Sequence, residues 1–247
     1  MVGLRTLDEA VVWHDVECAA YAADLSVWRS LAEERGGPLL DIGCGTGRVA
    51  LDLAALGHDV TALDSDPSLV AALAARARER GVRVRTAVAD ARSFELGREF
   101  VLAIAPMQVV QLLGGEEGRS DLLRRMRAHL APGGVFAAAL ADPFEDFPEE
   151  ESLPPLPDVR EEAGWVFSST PVAMRTAGGS TEIDRLRQSV SPQGELTESM
   201  ATIVLDQLTP EQLEAEAEGA FRVLPRRSVP ETEGYVGSTV VVLEAVS

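Results

Sequence analysis

Apolar residues in the first 35 positions recur every three to four residues, which indicates helical structure. After Gly36-Gly37-Pro38, short apolar runs alternate with amphipathic stretches. The runs cover residues 38–43, 58–64, 82–90, 100–106 and 135–142, and the stretches with helical spacing cover residues 46–56, 67–80 and 119–130. Strands that alternate with helices at this spacing predict βαβ units and a parallel sheet.

The pattern changes again beyond the fifth apolar run. Residues 142–162 contain nine acidic residues and five prolines, a composition typical of an exposed loop. Three runs with a period of two follow, at 165–175, 181–190 and 195–205, and the sequences AGGS and SPQG between them indicate turns. We therefore predict an antiparallel meander of three strands.

The last forty residues predict one helix and two closing strands. In LTPEQLEAEAEGA, Thr209 is placed to cap the helix, with Pro210 at the first helical position and Gln212 at the third. FRVLPRRSV and VGSTVVVLEAV predict the strands. The chain is thus expected to form one domain over residues 1–247, with a helical cap (1–36), an α/β core (38–142), an inserted acidic loop and meander (143–206), and a closing helix with strands (207–247).

The charge balance narrows the classes of partner. The chain has 40 acidic and 22 basic residues, all of the latter arginine, for a net charge of −18. Such a surface repels phosphate backbones and anionic membranes, so neither nucleic acid nor a membrane is expected as a partner. Without lysine, Schiff-base chemistry and the P-loop motif are excluded.

Other classes of protein are disfavoured by what the sequence lacks. Two cysteines, Cys18 and Cys44, cannot build a disulfide framework or a four-cysteine zinc site. The sequence shows neither a signal-peptide pattern nor an apolar run of membrane-spanning length. We expect a cytoplasmic protein of bacterial composition, either a monomer or a homodimer.

The strongest local motif is DIGCGTGR, which follows a predicted strand and opens a predicted helix. Gly43 permits the tight turn, Gly45 lets a ligand approach the backbone, and Gly47 lets the helix start close to the sheet. A dinucleotide fingerprint requires glycine or alanine at position 48, where this chain has Arg48. The motif therefore argues against an NAD-dependent oxidoreductase.

Two further carboxylates end the second and third predicted strands. Asp64 is placed to accept hydrogen bonds from a ribose diol, and Asp90 to bind an adenine amino group. One acid at a strand end is often only a helix cap. Three acids in order at successive strand ends, with Asp41 as the first, favour a nucleoside site.

In DIGCGTGR, ALD and VAD, residues 38–142 resemble the class I S-adenosylmethionine-dependent methyltransferases. The resemblance implies a Rossmann-like α/β fold: a seven-stranded sheet with its last strand antiparallel, flanked by helices, with the meander inserted after the fifth strand. It also implies S-adenosyl-L-methionine as cofactor. The cofactor-binding residues it implies are Tyr21, Asp41, Gly43, Cys44, Gly45, Gly47, Asp64, Ser65, Asp90, Ala91, Ala105 and Met107.

The end of the fourth strand bears on the methyl acceptor. Ala105-Pro106-Met107-Gln108 lacks the [DNS]-P-P-[FYW] pattern of amino-group DNA and glutamine methyltransferases, and the Pro-Cys of cytosine-C5 enzymes. It also lacks the acidic residue of a magnesium site. We therefore expect metal-independent methylation of a small organic acceptor, on nitrogen or oxygen, in which orientation and proximity supply most of the acceleration.

Candidate groups for the acceptor site carry weaker signals. His14, seven residues before Tyr21, is a candidate base, with an ordinary helix residue as the alternative. Gln108 and Gln111 either face the cofactor or acceptor or are solvated at the start of a helix, and Asp142 either binds a cationic acceptor or caps the loop that follows it. Arg185 and Arg187 share one face of a meander strand and either bind an acidic acceptor or face solvent, and His129 is predicted at the surface.

Two other functions fit the same motifs. One is a protein that binds S-adenosylmethionine without catalysis, because the sequence contains no decisive base. The other is transfer of an aminopropyl group on the same fold.

Overall fold

A seven-stranded mixed sheet forms the centre of the computed structural model, which describes residues 8–141, 156–232 and 235–246. Its strands in spatial order are β10 (Phe221–Val229), β11 (Ser238–Ala245), β5 (Leu130–Ala141), β4 (Phe100–Ala105), β1 (Leu39–Ile42), β2 (Val60–Asp64) and β3 (Val84–Val88). β11 runs antiparallel to both β5 and β10, and the pairs from β5 to β3 are parallel. The predicted fold class is confirmed.

Helices cover both faces of this sheet. The bounds are α3 (Arg48–Ala55), α4 (Pro67–Glu79), α5 (Glu116–His129) and α6 (Pro210–Glu216), with a 3₁₀ turn at Val109–Leu112. β5 is buried on both sides: Phe136 and Leu140 pack into one core cluster, and Val135 and Ala139 into the other. Such double burial is why the parallel strands are nearly continuous apolar runs.

The predicted cap on α6 is present. Thr209 accepts a hydrogen bond from the backbone of Gln212, whose side chain accepts one from the Thr209 backbone in return.

None of the helices within the described ranges has the length and apolar character needed to cross a membrane.

The N-terminal region, where the spacing predicts helical structure, forms two helices, α1 (Glu9–Cys18) and α2 (Leu25–Arg35), with a break between them. The break is stabilised by Asp24, whose buried carboxylate accepts hydrogen bonds from Trp28 Nε1 at 2.8 Å and from both terminal nitrogens of Arg48 at 2.5 and 2.8 Å. This bidentate pair binds the turn between the two helices to the start of α3.

A second sheet is inserted between β5 and α6. It has four antiparallel strands in the order β6 (Asp158–Glu162), β7 (Trp165–Ala177), β8 (Ser180–Val190) and β9 (Leu196–Asp206). The three predicted strands are present, but β6 was predicted as part of an exposed acidic loop. That prediction was wrong for 158–162 because alternate residues of β6 pair their charges with arginine and aspartate on neighbouring elements, so its charged composition concealed a strand.

Charged groups join the second sheet to α1. Glu17 accepts hydrogen bonds from Ser169 at 2.8 Å and from Arg187 at 2.8 and 3.0 Å, and Arg185 Nε lies 3.6 Å from the same carboxylate. The Arg185 and Arg187 side chains are only 13% and 23% exposed. These two arginines therefore hold the inserted sheet on the N-terminal helix instead of facing solvent.

Gln111 joins the two ends of the insertion. Its amide oxygen accepts a hydrogen bond from the backbone of Ala141 at 2.8 Å, where the insertion leaves the central sheet, and its amide nitrogen donates to the carbonyl of Asp206 at 3.2 Å, where the chain returns. Arg119 adds an ion pair to Asp206 at 2.9 Å. The side chain predicted to contact an acceptor is thus used by the fold.

The predicted surface position of His129 was wrong. It was expected at the surface because it ends a helix, yet its side chain is buried, with Nε2 accepting a hydrogen bond from the Leu96 backbone at 3.1 Å and the ring packed on Phe94. The burial follows from the loop before β4, which folds over the end of α5.

We expect Gln111→Leu to lower the free energy of unfolding by about 2–4 kcal/mol, because the buried amide of Ala141 and carbonyl of Asp206 lose their partner. Urea unfolding would measure this loss, provided that the dependence of the free energy of unfolding on urea concentration is the same in both proteins. Gln207→Leu, at an exposed position in the same segment, is the matched control, expected within about 0.5 kcal/mol of the parent. Equal stability of the two variants would contradict this role for Gln111.

Candidate active site

A cavity of about 370 Å³ opens at the carboxyl edge of the parallel strands, within the range of small-molecule sites. Ten residues singled out from the sequence line it: His14, Asp41, Gly43, Cys44, Asp64, Ser65, Asp90, Ala91, Met107 and Gln108. Five others are not part of this wall: Tyr21, Gly45, Gly47, Ala105 and Gln111. Asp142 lies outside the described residues.

The glycine loop between β1 and α3 forms the floor of the cavity. Gly43 and Gly45 have positive φ angles of 66° and 53°, a conformation that other residues rarely adopt. A Cβ on Gly43 would lie 2.5 Å from Val109 Cγ2, and one on Gly45 would overlap the His14 ring. Gly45 was predicted to let a ligand approach the backbone, and in the structure the His14 side chain of α1 makes this close approach.

Asp41 lies at the end of β1 beneath this loop. Its side chain is 1% exposed, and its two carboxylate oxygens are the buried side-chain atoms without a hydrogen-bond partner among the residues that the structure describes. Burial raises the pKa of Asp41 to about 8, while the positive charge of Arg48 opposes that rise. A buried acceptor left open in a cavity is suited to a ligand cation or hydrogen-bond donor.

The carboxylates at the ends of β2 and β3 reach the same cavity. Asp64 accepts a hydrogen bond from the Gly45 backbone at 2.8 Å and one from the Asp66 backbone at 3.0 Å, so it also orders the loop. Asp90 is paired with Arg92 through bonds of 2.9 Å and 2.6 Å at the rim. That side-chain pairing holds the pKa of Asp90 below its ordinary value.

The turn after β4 forms the opposite wall. Met107 has a φ of 57°, which is unusual for a residue with a Cβ, and its side chain lines the cavity beside Gln108. Backbone strain of this kind is concentrated at functional sites. Ala105 is the last residue of β4 and is fully buried behind this turn.

α1 closes the cavity with His14 and Cys18. Burial lowers the pKa of His14 below its ordinary value, and burial raises the pKa of the Cys18 thiol to about 12. Tyr21, expected to cover a cofactor, is instead buried against the Tyr235 ring, with centroids 4.8 Å apart, and beneath the guanidinium of Arg48 at 5.0 Å.

Sequence reasoning missed several residues of the wall. They are Cys18, Arg48, Val49, Leu63, Ala89, Arg92, Pro106, Val109, Leu112 and Leu113. Arg48 is the last residue of DIGCGTGR and Arg92 follows VAD by two residues, so their places in the sequence offered a signal for them. The apolar members gave none, since a wall residue and a core residue have the same sequence pattern.

Residues 39–134 match the family model described as a methyltransferase domain. The chain is 32% identical over 159 residues, 62% of this chain and 75% of the relative, to the Pyrobaculum aerophilum protein named "Probable cobalt-precorrin-6B C(15)-methyltransferase (decarboxylating)". It is 27% identical over 110 residues, 44% of this chain, to the "Probable S-adenosyl-L-methionine-dependent methyltransferase TehB" of Haemophilus influenzae, of which it spans 38%.

Solved structures share the fold over nearly the whole chain. An S-adenosylmethionine-dependent methyltransferase from Clostridium acetobutylicum superposes with a TM-score of 0.71 at 13% identity, over 96% of this chain and 97% of that one. The sugar N-methyltransferase KedS8 from Streptoalloteichus gives 0.72 at 20% identity, over 96% and 92%. At such identities these structures show the fold.

The glycine loop, the strand-end carboxylates and these matches together define the class: this chain belongs to the class I S-adenosylmethionine-dependent methyltransferases. The cofactor of that family is S-adenosyl-L-methionine.

The residues present fit this cofactor. The unpartnered carboxylate of Asp41 offers a buried acceptor for its amino group, and a side chain at Gly43 could not be accommodated against Val109. Asp64 and, once it is ionised, Asp41 complement a ligand with sulfonium and ammonium charges, whereas Asp90 is already paired with Arg92.

Cofactor affinity should rise with pH between about pH 5.5 and 7, by up to about tenfold per unit. With a pKa of about 8, Asp41 is protonated in the free protein in this range. A bound ammonium favours the ionised carboxylate, so binding releases a proton. The α-amino group itself titrates only near pH 8. Titration calorimetry in phosphate and in Tris would measure the released proton.

Asp41→Asn is the control for this proton release, since an amide cannot ionise. For this variant we expect weaker binding, with an observed binding enthalpy that no longer depends on the buffer. Equal proton release in the parent and Asp41→Asn would refute the assignment of the proton to Asp41.

We expect Asp64→Ala to weaken cofactor binding by about 1–3 kcal/mol, because it removes hydrogen bonds to a charged acceptor. Calorimetric titration with S-adenosylmethionine gives the dissociation constant. Asp59→Ala removes an exposed carboxylate at the other end of β2, where Asp59 pairs with Arg85 and Arg98, and should leave the constant unchanged. Unchanged affinity in Asp64→Ala would show that the ribose site lies elsewhere.

Proposed function

We propose that this protein transfers a methyl group from S-adenosylmethionine to an amine nitrogen of a small organic acceptor, without a metal ion. The observation that carries the proposal is the buried carboxylate of Asp41, which has no hydrogen-bond partner among the described residues and lies beneath the glycine loop at the floor of a cavity of about 370 Å³. The cofactor supplies an activated methyl group on a sulfonium. The protein supplies the orientation of the two reactants.

Charge supports an amine as the acceptor. A net charge of −18 attracts cations, and aliphatic amines are cations at neutral pH. The two arginines of the cavity wall are neutralised within the chain, Arg48 by Asp24 and Arg92 by Asp90, so neither is free to recruit an anionic acceptor.

The chemistry of the wall supports the same choice. A neutral amine attacks a sulfonium without a strong base, whereas an alcohol benefits from one. The carboxylates on the wall lie at the strand ends assigned to the cofactor, which leaves His14 as the base on the α1 side. No acidic residue stands directly at the carboxyl end of β4, where the chain reads Ala105-Pro106-Met107-Gln108, and this supports metal-independent transfer.

The shared fold is compatible with this class of acceptor. KedS8 is named as a sugar N-methyltransferase, and CalS10 from Micromonospora echinaspora, with a TM-score of 0.67 at 22% identity over 95% of both chains, as an amino pentose methyltransferase. We propose an acceptor of this size that carries an amino group.

The first experiment is calorimetric titration with S-adenosylmethionine, its demethylated product and NAD in parallel. We expect dissociation constants of the order of micromolar for the first two compounds and no binding of NAD. A panel of amino sugars and simple amines, with matched hydroxyl analogues, is then incubated with the cofactor and examined by mass spectrometry for one added methyl group.

The acceptor panel separates the alternatives. Methylated amines support the proposal, and methylated hydroxyl analogues alone would replace it with O-methylation. Binding of the cofactor without turnover on any acceptor would favour a non-catalytic binding protein, and an aminopropyl mass increase would assign the third function.

A further inference from the structure

His14 lies in a hydrogen-bonded series that begins at a buried carboxylate. The hydroxyl of Thr46, a residue of the glycine loop, donates to Asp15 Oδ1 at 2.7 Å, and Thr46 Oγ1 lies 3.5 Å from His14 Nδ1. Asp15 is 3% exposed and Thr46 is 2% exposed. The series therefore runs through the protein interior to the cavity wall.

The direction of these bonds follows from the donors. Because the single hydroxyl proton of Thr46 is used by Asp15, Oγ1 can only accept from His14. Nδ1 must then carry the ring proton, and Nε2 is left with a lone pair. The 3.5 Å separation is long, as is common for catalytic hydrogen bonds in free enzymes.

Two arginines on other elements also hold Asp15. Arg76 of α4 donates to both of its oxygens, one of them at 2.9 Å, and Arg160 of β6 approaches at 3.4 Å. Burial opposes ionisation, but the hydrogen bonds from Arg76 and Thr46 hold the pKa of Asp15 below its ordinary value. Asp15 therefore stays ionised and is the acceptor that holds the hydroxyl proton of Thr46.

We propose that Asp15 and Thr46 are positioning residues that hold His14 with Nδ1 protonated, so that His14 Nε2 accepts the proton of a cationic amine before its methylation. This inference rests on the proposed function.

The step balances. The ammonium acceptor gives one proton to Nε2 and becomes a neutral amine. Its nitrogen then forms a bond to the methyl carbon, while the electron pair of the broken carbon–sulfur bond returns to sulfur. The proton on His14 leaves to solvent after product release, and no oxidant or reductant is needed.

The surroundings of His14 favour the neutral ring that this step needs. Burial is the largest influence and lowers the pKa of His14. The charged groups that act on the ring are Asp15, Asp64 and Glu17, which raise its pKa, and Arg76, which lowers it. At neutral pH the imidazole is thus available as an acceptor.

The tautomer of His14 can be measured in the free protein, without a methyl acceptor. The protein contains three histidines, so ¹⁵N-histidine labelling gives a simple spectrum, and His14→Gln assigns the signals of His14. We expect a protonated Nδ1 and an unprotonated Nε2 in the parent. Thr46→Val keeps the shape of the side chain but cannot accept a hydrogen bond from Nδ1, so it should change that tautomer. Thr46→Ser retains the hydroxyl and should show the tautomer of the parent.

A kinetic measurement tests the role of the ring. With an amine substrate of the panel at about pH 7, His14→Gln should lower kcat by about 10²–10⁴-fold, the range of general base catalysis. Measured as kcat/KM, the loss should shrink as the pH approaches the pKa of the amine, because more of the free amine is then neutral in solution. Thr46→Val should lower kcat in the same pH-dependent manner by a smaller factor.

His58→Gln is the matched control, since this histidine precedes β2 at the opposite end of the strand from the cavity. It should change neither the tautomer of His14 nor the rate.

Four results would overturn the proposal. A protonated Nε2 in the parent, or an unchanged tautomer in Thr46→Val, refutes the arrangement regardless of activity. A pH-independent loss of rate in His14→Gln refutes proton acceptance. Failure of every amine to accept a methyl group refutes the proposed function and, with it, the proton transfer, whatever the tautomer.

Discussion

The buried carboxylate of Asp15 is the constraint on which the arrangement of the site depends. One side chain of α1 accepts bonds from Thr46 of the glycine loop and Arg76 of α4, and lies 3.4 Å from Arg160 of the inserted sheet. Removing one partner of a buried ion pair costs about 3–5 kcal/mol, since the other charge remains buried. The position of α1 is therefore set by charge as much as by apolar contact.

The rest of the cavity follows from that position. With α1 held across the glycine loop, the ring of His14 lies on Gly45 and Cys18 closes the same side. Glu17, on the same helix, fixes the inserted sheet through Arg187 and Ser169. A single short helix thus connects the cofactor loop with the insertion, and a change at either is expected to reach the other.

The core of the fold was predictable because its signals are local. A strand buried on both faces is an apolar run in any context, and the glycine loop needs its positive φ angles wherever it occurs. The capping box of α6 could likewise be identified from Thr209, Pro210 and Gln212 alone. Local patterns failed where charges pair across the chain: β6 was hidden by its acidic residues, and the Gln111 amide is used by two distant backbone groups.

The sequence by itself determined the class of the protein: the order of strands and helices, the glycine loop, and three carboxylates brought to one edge because parallel strands share their carboxyl ends. The tertiary structure alone decided which of the remaining residues meet. It buried Tyr21 against Tyr235, left Asp41 without a hydrogen-bond partner in the described part of the chain, and brought His14 within reach of Thr46, 32 residues along the chain. Such contacts depend on how elements pack, and their side chains carry no periodic signal in the sequence.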